Sequence, residues 1–226
     1  MKSFFIRALQ FINNERELIL FKRIFRKYKS FTMVPMERYI DNLRIVSKIS
    51  AIRGDIVECG VWRGGMSAGM AEILGSNKIY HLFDSFEGLP TPTERDGREA
   101  FDFQKEKNSP HYFDNCSVEQ EVAERAMKLA RVEFLIHKGW FQDTIPDKKF
   151  GKGIALLRLD GDWYDSTMLC LEHFFPQLNI GGILIIDDYF NWDGCTLAVH
   201  DFLAKKGMAY RIQTTSSGVC YLCKHF

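Results

Sequence analysis

The feature that most constrains this chain is an alternation that begins at residue 54. Short, continuous apolar runs are separated by stretches with helical spacing. GDIVECG (54–60), KIYHLFD (78–84), RVEFLIH (131–137), GIALLRLD (153–160) and GGILIIDD (181–188) read as strands, and 64–75, 117–130, 166–176 and 194–206 as helices. Strands alternating with helices build parallel crossover units. The unbroken apolar runs at 154–157 and 183–186 suit strands covered on both faces. The expected fold is therefore a doubly wound α/β sheet with a mostly parallel core. Closing strands are expected at 208–214 and 218–223, and a helix at 36–49 after Pro35. Residues 85–116 hold three of the six prolines and many charged residues and read as one long loop, the kind that is usually functional or disordered. No repeat or break in composition marks a domain boundary. Residues 1–50 read as an N-terminal helical extension and 51–226 as the α/β core of a single domain.

With 226 residues, 46% hydrophobic and 26% charged, the chain has enough apolar material for a sizeable core. A net charge of +1 implies no global attraction to nucleic acid. The charge is uneven: residues 1–30 carry eight basic residues against Glu15 and Glu17, so the remainder is acidic. Within 4–28, apolar residues recur at helical spacing with basic residues between them. This reads as one or two amphipathic helices that pack on the domain or on a second copy, with contact to a membrane surface as the sharper alternative. No apolar run approaches the ~18 residues of a spanning helix, and the N-terminus is too short and interrupted for a signal peptide. Six scattered cysteines suit reduced thiols in a cytoplasmic protein, and Cys220 and Cys223 form an isolated CxxC that does not suggest zinc.

Ligands of such sheets bind at the carboxyl ends of the strands. Here the strands stop at Glu58 and Gly60, at Asp84, near Gly139, at Asp160, and at Asp187-Asp188. Acids thus end four of the five. The first turn, ECGVWRGG (58–65), has an acid ahead of its glycines, which would repel a pyrophosphate but not a cationic ligand. S-adenosylmethionine, with its ammonium and sulfonium, fits better, although glycines also turn strands into helices for structural reasons alone. Asp84 is placed to accept ribose hydroxyls, or else to act as a loop acid. If the strands ending at Asp160 and Asp187 are neighbours, three carboxylates converge. Oxygen ligands of that kind suit Mg²⁺; the plainer reading makes Asp160-Gly161-Asp162 a turn and Asp187-Asp188 a loop start. Asp165 reads as an acid in the first turn of the next helix.

VECGVWRGG (57–65), DSFEGLP (84–90), KGWFQDTIP (138–146), LRLDGDWYDST (157–167), GGILIIDDY (181–189) and GCTLAVHDF (194–202) together resemble the TylF/MycF (macrocin-type) family of S-adenosylmethionine-dependent, Mg²⁺-dependent O-methyltransferases, in order from about residue 32 to 207. The resemblance implies a class I methyltransferase fold with a seven-stranded, Rossmann-like sheet, and a small-molecule hydroxyl acceptor, typically a sugar or glycoside. It implies cofactor contacts from Thr32, Met33, Glu58, Gly60, Trp62, Gly64, Asp84, Ser85, Gly139, Trp140, Phe141, Gln142 and Asp160. It further implies Mg²⁺ ligation by Asp160, Asp187 and Asp188, and Asp162 as general base, turned away from Asp160 by the chain at Gly161. His81, His111, His137 and His200 are rival bases. The chain departs from the family in its first thirty residues, in 91–116, and at Cys220-Tyr221, where an aromatic pair ending in Trp is expected. Two other readings compete: a DxD-type nucleotide-sugar glycosyltransferase, which leaves Glu58 and the Asp187-Asp188 pair unexplained, and a non-catalytic cofactor-binding scaffold. The apolar N-terminal helix leaves self-association open.

Overall fold

Among the described residues, seven strands form one sheet. The computed structural model describes residues 2–225, with side chains from Asn14 onward. The strands are β1 (Asp55–Cys59), β2 (Tyr80–Asp84), β3 (Phe134–Lys138), β4 (Ile154–Leu159), β5 (Leu178–Ile186), β6 (Gln213–Thr214) and β7 (Cys220–Cys223). They lie across the sheet in the order β3-β2-β1-β4-β5-β7-β6; β1 to β5 run parallel, and β7 pairs antiparallel with both β5 and β6. Strand order reverses at β1, with β2 on one side and β4 on the other, so a crevice opens at the carboxyl ends of β1 and β4.

The helices are α1 (Lys2–Tyr28), α2 (Met36–Ser47), α3 (Gly65–Leu74), α4 (Gly97–Lys105), α5 (Gln120–Ala130), α6 (Phe141–Thr144), α7 (Tyr164–Phe174) and α8 (Asp193–Lys205). Alternate strand residues feed two cores. Ile56, Leu82, Leu156 and Ile183 pack under α1, α2, α3 and α5, while Val57, Phe83, Leu157 and Leu184 pack under α7 and α8. This is the double coverage that unbroken apolar strands require.

The N-terminal segment is one helix, and its last third belongs to the domain. Phe21, Ile24 and Tyr28 are buried, the Tyr28 hydroxyl donates to Glu72 at 2.8 Å, and Lys27 pairs with Glu72 as well. The expected apolar positions before Asn14 lie outside the described side chains. No helix of the described residues is long and apolar enough to cross a membrane.

Several sequence expectations change. Segment 85–116 is not one loop: it holds α4, entered through a capping box in which Thr93 and Asp96 bond reciprocally. Gly88, Pro90 and Pro92 precede that helix, while Gly97 opens it and Pro110 follows it. Strand β3 starts at Phe134 rather than at 131, because Arg131 takes the left-handed conformation (φ 58°) that ends α5. Strand β5 starts three residues early, at Leu178, and β6 shrinks to two residues.

Candidate active site

Gly60 opens the crevice. Its φ of +85° suits glycine, and a Cβ there would overlap the backbone carbonyl of Asp160. The turn after β1 is held by Asp84, from the neighbouring strand. One carboxylate oxygen of Asp84 accepts the N–H groups of Val61 (2.6 Å) and Trp62 (2.8 Å), and the other accepts that of Phe86 (2.7 Å). Burial raises the Asp84 pKa and these three donors oppose it.

Beside this turn the ends of β4 and β5 bring Asp160, Asp187 and Asp188 together. One ligand atom from each lies within 4.8 Å of the others. The cause is register: β4 and β5 pair in parallel with Leu159 opposite Ile186, so the acids that follow each strand emerge side by side. Burial raises Asp160 to about 6, with Arg158 opposing the shift and Asp187 adding to it. Asp188 is driven well above the usual carboxylate range by burial and then by Asp162 and Asp160. This is the electrostatic signature of like charges crowded away from water, and a divalent cation would relieve it.

Asp162 takes a left-handed conformation (φ 56°). The turn between the two acids is therefore made by Asp162 and not by Gly161. Gly161 has a different duty: a Cβ there would press within 3.2 Å of the Phe141 ring. The Asp162 N–H donates to Asp188 Oδ2 (3.1 Å), and its Oδ1 accepts the Trp192 indole N–H (2.8 Å). Burial, followed by the charge on Asp160, holds its pKa well above the ordinary value, and Trp192 opposes the shift.

A cavity of about 1010 Å³ runs over this floor. Met33, Gly60, Trp62, Asp84, Ser85, Trp140, Phe141, Gln142, Asp160, Asp162, Asp187 and Asp188 line it. Thr32, Glu58, Gly64 and Gly139 stand behind that wall. The Thr32 hydroxyl accepts the Val34 N–H, Gly64 caps α3, and the Gly139 N–H donates to the Asp84 carbonyl. Both carboxylate oxygens of Glu58 are taken, by Ser67 and by Arg158. Of the histidines, His111 lines the cavity. His81 and His137 bond each other at 3.1 Å, and His200 bonds Tyr189; none of these three lines it.

Three residues escaped the sequence reading. Arg158 is completely buried, and its guanidinium meets Glu58, Asp160 and Asp187. A charged residue inside an otherwise apolar strand was the available signal, since a buried charge demands partners. Trp192 holds Asp162 and stacks edge-on against Trp163 with ring centroids 5.0 Å apart. Asp96, 2% exposed, accepts the backbone N–H of Tyr164 at 2.6 Å and so fastens the 85–116 segment onto the Asp160–Tyr164 turn. No local pattern announces Trp192 or Asp96. Asp165, in the first turn of α7, pairs at the surface with Arg95.

Comparison with known proteins agrees with this geometry. The model of the macrocin-O-methyltransferase (TylF) family matches residues 26–223. The chain is 38% identical over 190 residues to the 8-demethyl-8-(2,3-dimethoxy-alpha-L-rhamnosyl)-tetracenomycin-C 4'-O-methyltransferase of Streptomyces olivaceus, covering 79% of this chain and 69% of that protein. It is 34% identical to the mycinamicin III 3''-O-methyltransferase of Micromonospora griseorubida, covering 80% and 73%. Its structure is similar to that of the O-methyltransferase NovP, with a TM-score of 0.70 and 29% identity over 87% of this chain and 83% of that one. Acids ending the parallel strands around a β1–β4 crevice, together with a family match over nearly the whole chain, mean that this protein belongs to the TylF macrocin-O-methyltransferase family and is an O-methyltransferase.

Proposed function

We propose that the protein moves a methyl group from S-adenosylmethionine to a sugar hydroxyl of a natural product, with Mg²⁺ between Asp160, Asp187 and Asp188. The observation that carries this reading is the convergence of those three carboxylates beside the Gly60–Asp84 turn, within one cavity. The donor set is all oxygen, as a hard divalent ion requires. The acceptor class rests on the relatives, one of which is named for methylation of a rhamnosyl-bearing natural product.

In this reading Asp84 takes the ribose of the cofactor, Gly60 lets its methionine part approach the backbone, and Trp140 and Phe141 border the adenine. When bound, the cofactor supplies the methyl group and Mg²⁺ fixes and acidifies the acceptor hydroxyl. Asp162 removes the hydroxyl proton. Its burial raises its basicity, and Trp192 leaves one of its oxygens free for the proton. Trp163 and Trp192 wall the acceptor side and help exclude water. Residues 1–50 act as a helical extension of one catalytic unit. The six free cysteines support a reducing, cytoplasmic setting.

The test is methyl transfer from labelled S-adenosylmethionine to rhamnosylated acceptors, with Mg²⁺ or with excess chelator. Turnover should vanish in chelator and in Asp160→Asn and Asp187→Asn, while S-adenosylhomocysteine still binds by calorimetry. Full activity in chelator would remove the metal from the mechanism. Family membership displaces the glycosyltransferase reading of Asp160-Gly161-Asp162. Tight cofactor binding without transfer to any acceptor would instead favour the scaffold.

A further inference from the structure

Arg158 lies opposite Glu58 in the β1–β4 ladder, and its side chain is wholly buried. Nη1 donates to Glu58 Oε1 at 2.6 Å and to Asp160 Oδ2 at 2.7 Å, and Nη2 lies 2.7 Å from Asp187 Oδ1. The last contact is an ion pair without a well-directed hydrogen bond. Asp160 and Asp187 therefore each have one oxygen turned inward onto the guanidinium. Asp188 is committed in the same way by a different donor, because its Oδ2 accepts the Asp162 N–H at 3.1 Å. In Asp160 and Asp188 one oxygen accepts a hydrogen bond of 2.7 and 3.1 Å from the protein, and in Asp187 one oxygen is held by the ion pair; the other Asp188 oxygen has only the long 3.5 Å contact from the Asn191 amide.

A carboxylate with one oxygen so committed is turned to offer a cation its other oxygen, and is biased against two-oxygen ligation. Three one-oxygen ligands with open positions between them suit a small ion that keeps its waters in octahedral array. They do not suit Ca²⁺, which gathers six to eight oxygens and favours two-oxygen carboxylates. The planar fork of arginine is what makes this possible, since a single ammonium cannot hold two carboxylates from neighbouring strands in fixed directions. We propose that Arg158 is a positioning residue that restricts Asp160 and Asp187 to one-oxygen ligation and thereby sets the preference of the site for Mg²⁺ over Ca²⁺. The proposal rests on the three-carboxylate metal site described above and adds a residue and a selectivity to it.

Arg158 also sits beside the triad as a positive charge, and that alone would weaken every divalent cation alike. The ratio of two dications separates the roles, because Mg²⁺ and Ca²⁺ carry the same charge and respond equally to any change in field or carboxylate ionisation. The experiment loads the full-length protein with Mn²⁺, follows free Mn²⁺ by electron paramagnetic resonance, and displaces it with Mg²⁺ and with Ca²⁺. No acceptor or turnover is involved. In the wild type Mg²⁺ should compete about fivefold or more better than Ca²⁺. In Arg158→Met that preference should fall by about fivefold or reverse, because the freed carboxylates can turn both oxygens to the ion. Arg158→Lys, which keeps the buried charge and protects folding, should lie between the two. A wild type that prefers Ca²⁺ overturns the proposal without reference to any variant. Cation binding with the same Mg²⁺-to-Ca²⁺ ratio in wild type and variants overturns it while leaving the metal site intact. A wild type that binds no Mn²⁺ overturns the metal reading of the triad, and this proposal with it.

Discussion

The indole N–H of Trp192 lies 2.8 Å from Oδ1 of Asp162, and it reaches there from the loop that follows β5. The bond fixes which oxygen of Asp162 faces the cavity and restrains its rotation. Trp192→Phe keeps the ring against Trp163 but loses the donor. Hydrogen bonds to charged groups contribute about 1.5–3 kcal/mol. The expected outcome is a kcat lower by about tenfold or more, with affinity for S-adenosylhomocysteine unchanged. Steady-state kinetics beside calorimetry reads both.

Gly60 and Gly75 both have positive φ, +85° and +75°, but only Gly60 faces the Asp160 backbone, while nothing lies within 4 Å of the Cβ position of Gly75. Gly75→Ala should cost only the conformational term, about 1–3 kcal/mol, because φ +75° with ψ −168° is a backbone region that glycine almost alone adopts. Gly60→Ala should cost clearly more and weaken cofactor binding, since overlap adds to strain. Urea unfolding of the pair isolates the close approach.

Asp96 holds two segments together through its bonds to Thr93 and to the Tyr164 N–H. Asp96→Ala leaves the Tyr164 donor without its partner, a loss of about 1–3 kcal/mol, and frees α4 from the catalytic turn. The acceptor KM should rise several-fold while the KM for S-adenosylmethionine stays near its original value. Equal rises in both would show that the staple serves the whole fold instead of the acceptor wall.

His137 stacks on Phe83 and His81. Burial lowers its pKa to about 4, with Lys148 and His81 acting in the same direction. Its folded pKa lies below the unfolded value of about 6.5, so the unfolded chain takes the proton first. This stability is complete above pH ~6.5 and is lost as pH falls toward about 4. After allowance for partial exposure, the loss at pH 5 is about 1 kcal/mol. In His137→Phe the drop in unfolding free energy between pH 7.5 and pH 5, measured by urea titration, should shrink by that amount. An unchanged drop would assign the acid sensitivity to other groups.

Much of the site was readable because strand ends are local features. Apolar runs that stop at Glu58, Asp84, Asp160 and Asp187 place acids on one edge of any parallel sheet, whatever its strand order. The helix α4 was not readable, since its capping residue follows a Pro- and Gly-rich stretch that dominates the local composition. The Asp162 turn was misplaced because glycine is the default owner of unusual backbone angles, and here an aspartate is held in one by the Asp188 and Trp192 bonds.

The sequence by itself determined the alternation, the acids at the strand ends and the family, because these depend on residue order and on spacing of two or 3.6. Only the tertiary structure decided how the acids are divided. Placing β4 between β1 and β5 puts Arg158 within reach of Glu58, Asp160 and Asp187 at once, turns Glu58 away from the cavity, and leaves Asp160, Asp187 and Asp188 facing it. Strand order joins residues 58, 158 and 187 across long separations in the chain, and no local pattern encodes which of two oxygens on a carboxylate a buried guanidinium will take.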